Sequence, residues 1–171
     1  MACNITSGVI NDCLDAQGGI ETVYIANGKV ESITETGGVV SAITVNGAAL
    51  TPADWFEFQT PRQSSSLVET ITSSVENGVV TYSQVLTLIF NKLSAEKRNT
   101  IALLAQNQYL VVVAKDNNGT LWGIGLTRGA YLTSGTANSG TAFGDASQYS
   151  LTIEGLEPAP MWEVSSSIVV A

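Results

Sequence analysis

The residues able to do chemistry in this chain are few and poorly placed for it. Histidine, the usual general acid or base near neutral pH, does not occur among the 171 residues. Without it a serine triad has no base, no G-x-S-x-G elbow is present, and Cys13 lacks an imidazole partner. Paired carboxylates could still act, as in glycosidases, but the 15 acidic residues are scattered. Glu154 and Glu157 are near neighbours, yet Gly155 and Pro158 beside them read as a strand end and a turn at the surface.

Other fragments of motifs resolve the same way. Gly123-Ile124-Gly125-Leu126-Thr127-Arg128-Gly129 resembles a dinucleotide fingerprint only superficially, because the spacing differs and no βαβ unit follows. A bulged strand or a close backbone approach explains the glycines. Asp116-Asn117-Asn118-Gly119 starts like a calcium loop but lacks the later ligands, so a hairpin turn accounts for it. Trp55, Trp122 and Trp162 could line a sugar site, and core or interface packing is the better expectation. Cys3 and Cys13 read as free thiols, with a single staple between them as the alternative. The expectation is no catalytic site, no metal and no cofactor.

Composition points to partners instead. Charged residues make up 13% of the chain, against about 25% in ordinary domains, so the surface is unusually neutral and suited to being covered. Acidic residues outnumber basic ones 15 to 7, for a net charge of −8. Lys97-Arg98 is the only adjacent basic pair. Tight sequence-neutral binding to nucleic acid needs several cations against phosphates, and this balance predicts repulsion from DNA. Neither a signal peptide nor a membrane-spanning apolar run is expected.

The elements that position these residues are mostly strands. Residues 1–171 read as one domain. Ile20–Ala26, Lys29–Thr36 and Val39–Val45 form a meander broken by Asn27-Gly28, Gly37-Gly38 and Asn46-Gly47. Trp55–Gln59 alternates as a half-buried strand. Leu67–Val75 and Val79–Phe90 flank Glu76-Asn77-Gly78 as a long hairpin arm, about residues 66–91. Such an arm is barely stable alone and needs a sheet or a neighbouring subunit. Glu76, Asn77 and Gly78 are therefore the assembly-arm candidates. A helix over about 94–107 starts at the N-cap Ser94, with Glu96 suiting its dipole. Its apolar stripe holds Leu93, Ile101, Leu104 and Ala105. Tyr109–Ala114 reads as a buried strand, and Asp116–Gly119 turns it into Thr120–Leu126. Tyr149–Glu154 alternates, Ser134–Ala146 reads as a long Gly/Ser/Thr loop, and Trp162–Val170 as a last strand. The fold expectation is mainly β: an antiparallel sandwich or barrel with one flanking helix and a long hairpin arm.

The order of elements over about residues 94–158 carries a resemblance. A helix ending Leu103-Leu104-Ala105-Gln106-Asn107 leads to Tyr109–Ala114, then Lys115-Asp116-Asn117-Asn118-Gly119 and Leu121–Gly125. Tyr131-Leu132-Thr133-Ser134-Gly135, Gly140–Asp145 and Tyr149–Pro158 follow. This series resembles the tail tube proteins of tailed bacteriophages. The resemblance implies six-membered rings joined through shared β-sheet and stacked into a hollow tube. Other tail proteins would sit at the tube ends, and DNA would pass through without specific binding. It implies a virion component assembled in the host cytoplasm. On that reading a lumen strand presents acidic residues on one face, and Glu31, Glu35 and Glu69 are the lining candidates. A head or decoration protein, or a receptor-binding module, is the alternative.

Overall fold

The computed structural model describes residues 4, 5, 7–11 and 13–169. In chain order the strands are β1 Ile20–Asn27, β2 Val30–Thr36, β3 Val39–Val45, β4 Ala48–Ala49, β5 Phe56–Gln59, β6 Ser66–Ser74, β7 Val79–Asn91, β8 Leu110–Asp116, β9 Leu121–Ile124, β10 Ala130–Asn138, β11 Gln148–Glu157 and β12 Trp162–Val164. A 3-10 turn spans Pro52–Asp54, and the helices are α1 Ala95–Gln106 and the four-residue α2 Ser166–Val169. The protein is mainly β, with a sandwich-like arrangement and one substantial helix.

Hydrogen bonding links the strands in the order β2-β3-β12-β9-β8-β10-β11-β7-β6, with β1 joined to β8 and β5. All described pairings are antiparallel except β12 with β3. The run Leu110-Val111-Val112-Val113-Ala114 is apolar at every position because both faces of β8 are covered. Leu110, Val112 and Ala114 enter one core with Leu86, Leu88, Leu151 and Ile153. Val111 and Val113 enter a second core with Val40, Ile43, Trp55 and Val164. Strands β1 and β8 thus form a middle layer, between β7–β11–β10 with α1 on one side and β2–β3–β12 with α2 on the other. Each fully buried aliphatic side chain of these layers contributes about 1.5–3 kcal/mol.

The turns follow from their residues. Asn46 and Gly47 both adopt positive φ, 50° and 79°, as a tight primed hairpin turn demands. Ser94 caps α1 by accepting the Lys97 N–H at 3.3 Å. The apolar stripe of α1 is narrower than its sequence suggests: Leu104 is buried, Ile101 and Leu93 are half-buried, and Ala105 is exposed.

Three expectations need correction. The stretch Ser134–Ala146 is not loop throughout, since β10 continues to Asn138 by pairing with β11. Its Gly/Ser/Thr composition conceals a strand whose backbone bonds, not apolar side chains, hold it in place. The chain after Met161 makes only a three-residue strand before turning into α2. There Ile168 and Val169 are buried, and the Ile168 carbonyl accepts the Trp55 indole N–H at 2.9 Å. The half-buried strand expected over Trp55–Gln59 starts at Phe56, and within it only Phe58 is half-buried; Trp55, just before it, is buried while Phe56 is 60% exposed.

Candidate assembly interface

Strands β10, β11, β7 and β6 form a four-stranded face with two contrasting sides. Its inner side presents Leu86, Leu88, Leu151 and Ile153 to the core, all at most 1% exposed. Its outer side follows from the register. Ser66 lies opposite Thr87, Thr87 opposite Thr152, and Thr152 opposite Ser134. One rung on, Val68, Val85, Glu154 and Tyr131 align, and the next carries Thr70, Ser83 and Leu156. These outward residues are exposed or half-buried. The face is built of hydroxyls with few apolar interruptions, and Glu154 is its only charged group among them. Its carboxylate accepts Ser83 Oγ at 3.1 Å and Thr133 Oγ1 at 3.4 Å.

Both margins of this face are open. Strand β6 ends the strand order, and β10 pairs with β8 at Ala130 alone. Edge strands usually carry guards such as proline, lysine or a bulge. Strand β6 has no proline, no lysine and an unbroken register from Ser66 to Ser74. Strand β10 has no charged residue and one irregularity near Thr133. At the opposite end of the order, β2 is guarded by two glutamates and a bulge that leaves Glu31 without a register partner.

The structure places the lining candidates apart. Glu31 and Glu35 are exposed on β2, distant in strand order from the hydroxyl face. Each braces a turn: Glu31 Oε2 accepts the Gly47 N–H at 2.9 Å, and Glu35 Oε2 accepts the Gly38 N–H at 3.2 Å. Glu69 is on β6 but on its inner side, opposite Gln84. It is half-buried and accepts the Met161 N–H at 2.7 Å and the Gln84 amide at 3.3 Å. The arm candidates Glu76, Asn77 and Gly78 are exposed in the β6–β7 turn, with Gly78 at φ 62°. The hairpin runs from Ser66 to Asn91, and the sheet of the same chain supports most of it. From Tyr82 to Asn91, β7 is paired on its other side with β11, so only the tip around Thr72–Thr81 stands beyond the sheet.

Several polar groups turn out to be structural. Glu157, expected at the surface, is buried, and its Oε1 accepts the N–H groups of Thr127 and Arg128 at 3.3 and 2.8 Å. Its Oε2 is buried with no hydrogen-bond partner. Buried Gln84 accepts the Gly125 N–H at 3.1 Å. Gly125 sits at φ 70° against Ala130 and Gly155, a close backbone approach that excludes a side chain. The Asp116 carboxylate is occupied by the N–H groups of Asn118 and Thr120, both at 2.9 Å, and by the Trp122 indole. Glu21 lies 2.7 Å from Lys115 and raises the ammonium pKa above its usual value. Burial, then the nearby Glu57 charge, raises the Tyr24 phenol. Among the described residues no three metal-binding side chains cluster. Cys13 is exposed and unpaired, while Cys3 lies outside the described residues. No described helix is long and apolar enough to cross a membrane.

Where the sheet meets the arm tip there is a groove of about 570 Å³. Val79, Val80, Tyr109, Tyr131 and Leu156 line it, each 40–52% exposed, with Arg128 and Glu157 among its polar groups. Comparison with protein-family models and with curated proteins finds no match to either.

Proposed function

We propose that the chain is a virion structural protein that joins six copies of itself into rings. The rings stack into the tail tube of a bacteriophage and conduct DNA during ejection. The observation that supports this reading best is the four-stranded face β10–β11–β7–β6. Its two open margins, β6 and β10, have nine residues each. Pairing β6 of one copy with β10 of the next is a head-to-tail contact, and such contacts close into rings when the rotation allows. The closed sheet then presents an inner wall rich in serine and threonine, interrupted by Val68, Val85, Tyr131 and Leu156, with one carboxylate, Glu154, per copy. Hydroxyls keep such a wall wet. Without lysine or arginine there is no counterion release to hold a phosphate backbone, and a ring of carboxylates repels it.

Negative-stain imaging of the purified protein tests the reading, with long hollow tubes as the expected result. A chain carrying Val68→Lys and Thr72→Lys, both exposed on β6, should stay folded and monomeric, because edge lysines block strand addition. Sedimentation that finds only monomer for the native chain at high concentration and moderate salt rejects self-assembly. Tubes from the lysine variant place the interface elsewhere.

A further inference from the structure

We infer that Asn77 is a site of spontaneous covalent modification: the backbone nitrogen of Gly78 displaces its side-chain amide, leaving aspartate and isoaspartate at the β6–β7 turn. The sequence holds four Asn-Gly pairs, Asn27-Gly28, Asn46-Gly47, Asn77-Gly78 and Asn118-Gly119, each at a turn between strands. Glycine has no Cβ to shield its nitrogen, so the sequence alone makes all four pairs alike. The structure separates them by where each glycine N–H goes.

Three of the four are engaged. The Gly28 N–H donates to the Tyr109 carbonyl and the Gly119 N–H to the Asp116 carbonyl, both at 3.1 Å. The Gly47 N–H donates to Glu31 Oε2 at 2.9 Å. Two of the asparagine side chains are held as well. Asn27 Oδ1 accepts the Asn107 amide at 2.9 Å. Asn118 Oδ1 accepts the Gln17 N–H at 2.7 Å, and its Nδ2 donates to the Gln17 carbonyl at 2.9 Å. The fourth pair differs. Asn77 and Gly78 are both exposed. The Asn77 N–H donates to Ser74 Oγ at 3.3 Å, but among the described residues neither the Gly78 N–H nor the Asn77 side chain has a partner.

The chemistry needs only water and hydroxide. Hydroxide removes the Gly78 N–H proton, and the nitrogen attacks Asn77 Cγ. The new N–Cγ bond forms, the Cγ–Nδ2 bond breaks, and Nδ2 takes up a proton and leaves as ammonia. Water then opens the succinimide ring. Addition at Cγ restores the ordinary backbone and gives aspartate. Addition at the main-chain carbonyl gives isoaspartate, whose backbone is one methylene longer. An N–H already donated to an oxygen must give up that bond before its nitrogen attacks, which protects Asn27, Asn46 and Asn118. Either product adds a carboxylate beside Glu76, and the longer isoaspartyl backbone misfits the turn that sets Ser74 opposite Val79. None of this depends on the assembly reading.

Incubating the dilute native protein at mildly alkaline pH and mapping its peptides by mass spectrometry tests this. The Asn77 peptide should split into aspartyl and isoaspartyl forms about tenfold faster than the peptides of the other three pairs, roughly the factor that one hydrogen bond on the attacking amide supplies. In urea all four should convert at similar rates. The variant Glu31→Ala, at an exposed position, releases the Gly47 N–H. It should speed conversion of Asn46 by a similar factor and leave Asn77 unchanged. Equal rates at all four pairs in the folded protein, or a preference for Asn77 that persists in urea, overturns the inference. So does an Asn46 that stays slow once Glu31 is gone, because the occupied N–H is then not what protects it.

Discussion

The Glu69 carboxylate accepts the backbone N–H of Met161 at 2.7 Å, joining the edge strand β6 to the segment that leads into β12, 92 residues later. The same carboxylate receives the Gln84 amide, whose oxygen in turn accepts the Gly125 N–H. A chain of polar contacts therefore runs from the open margin of the sheet through its inner side to the β9–β10 turn. Its members are half-buried or buried, so each unmade bond carries a desolvation penalty.

Replacing Glu69 with alanine should cost about 1.5–3 kcal/mol, the range for a hydrogen bond to a charged group. Glu69→Gln, which keeps an acceptor, should cost less. Hydrogen exchange should accelerate at Met161 in the alanine variant and stay slow in β8. Unchanged exchange at Met161 would show that the C-terminal segment is held by Trp162 and Val164 packing alone.

How far the sequence carried this picture depended on where side chains decide. The apolar run Leu110–Ala114 and the alternation of Tyr149, Leu151 and Ile153 against Ser150, Thr152 and Glu154 are visible because burial selects side chains. The second of these already marks the outward face that holds Glu154. Strand β10 was hidden because Ser134–Asn138 is held by backbone pairing, to which composition is nearly blind. The inward turn of Glu69 breaks the pattern differently. The sequence made it a candidate for the lumen lining, and only the register with Gln84 turns it to the inner side, where the Met161 N–H and the Gln84 amide meet it. Glu157 escaped for a related reason: a glutamate before proline reads as surface until the N–H groups of Thr127 and Arg128 are found around it. The proposed ring lies on another level, since margins β6 and β10 are recognisable as open only once every other pairing is known.

The loop between β10 and β11 should respond to acid. Asp145 Oδ2 accepts the N–H groups of Ala142 and Thr141, both at 2.7 Å. The Ala142 bond first, then that of Thr141, lowers the carboxyl pKa below its ordinary 3.8. A depressed carboxyl stabilises the structure above the unfolded-state value and loses that contribution as pH falls through the folded value. The loop should therefore be ordered from neutral pH down to about 4 and loosen below 3.8. Amide chemical shifts and exchange at Thr141 and Ala142 report this directly. In the Asp145→Asn variant the acid transition should vanish at these two amides. Its persistence would assign the transition to another group.

The last prediction concerns Glu154, the one charged group among the outward residues of the hydroxyl face. In the proposed ring of six its carboxylate would recur six times around the wall, so a single substitution would alter a whole belt of charge. Glu154→Lys should leave monomer stability within about 1 kcal/mol. The residue is half-buried, its partners are the hydroxyls of Ser83 and Thr133, and water can replace those bonds. The assembled tube should change far more. A belt of lysines meets the phosphates of a passing duplex and releases counterions, so affinity should fall as salt rises, with a log–log slope of about −0.9 per phosphate engaged. Short fluorescent duplexes incubated with tubes should show anisotropy near that of free DNA for the native chain, and a salt-sensitive rise for the lysine variant. Glu154→Gln removes the charge without reversing it and should fall between the two, close to native. The decisive comparison is between tubes and monomers of the lysine variant. Binding by tubes but not by monomers requires the belt to be concentrated by assembly. Equal binding per chain in both forms means that Glu154 faces outside solvent, and then the hydroxyl face does not line a channel.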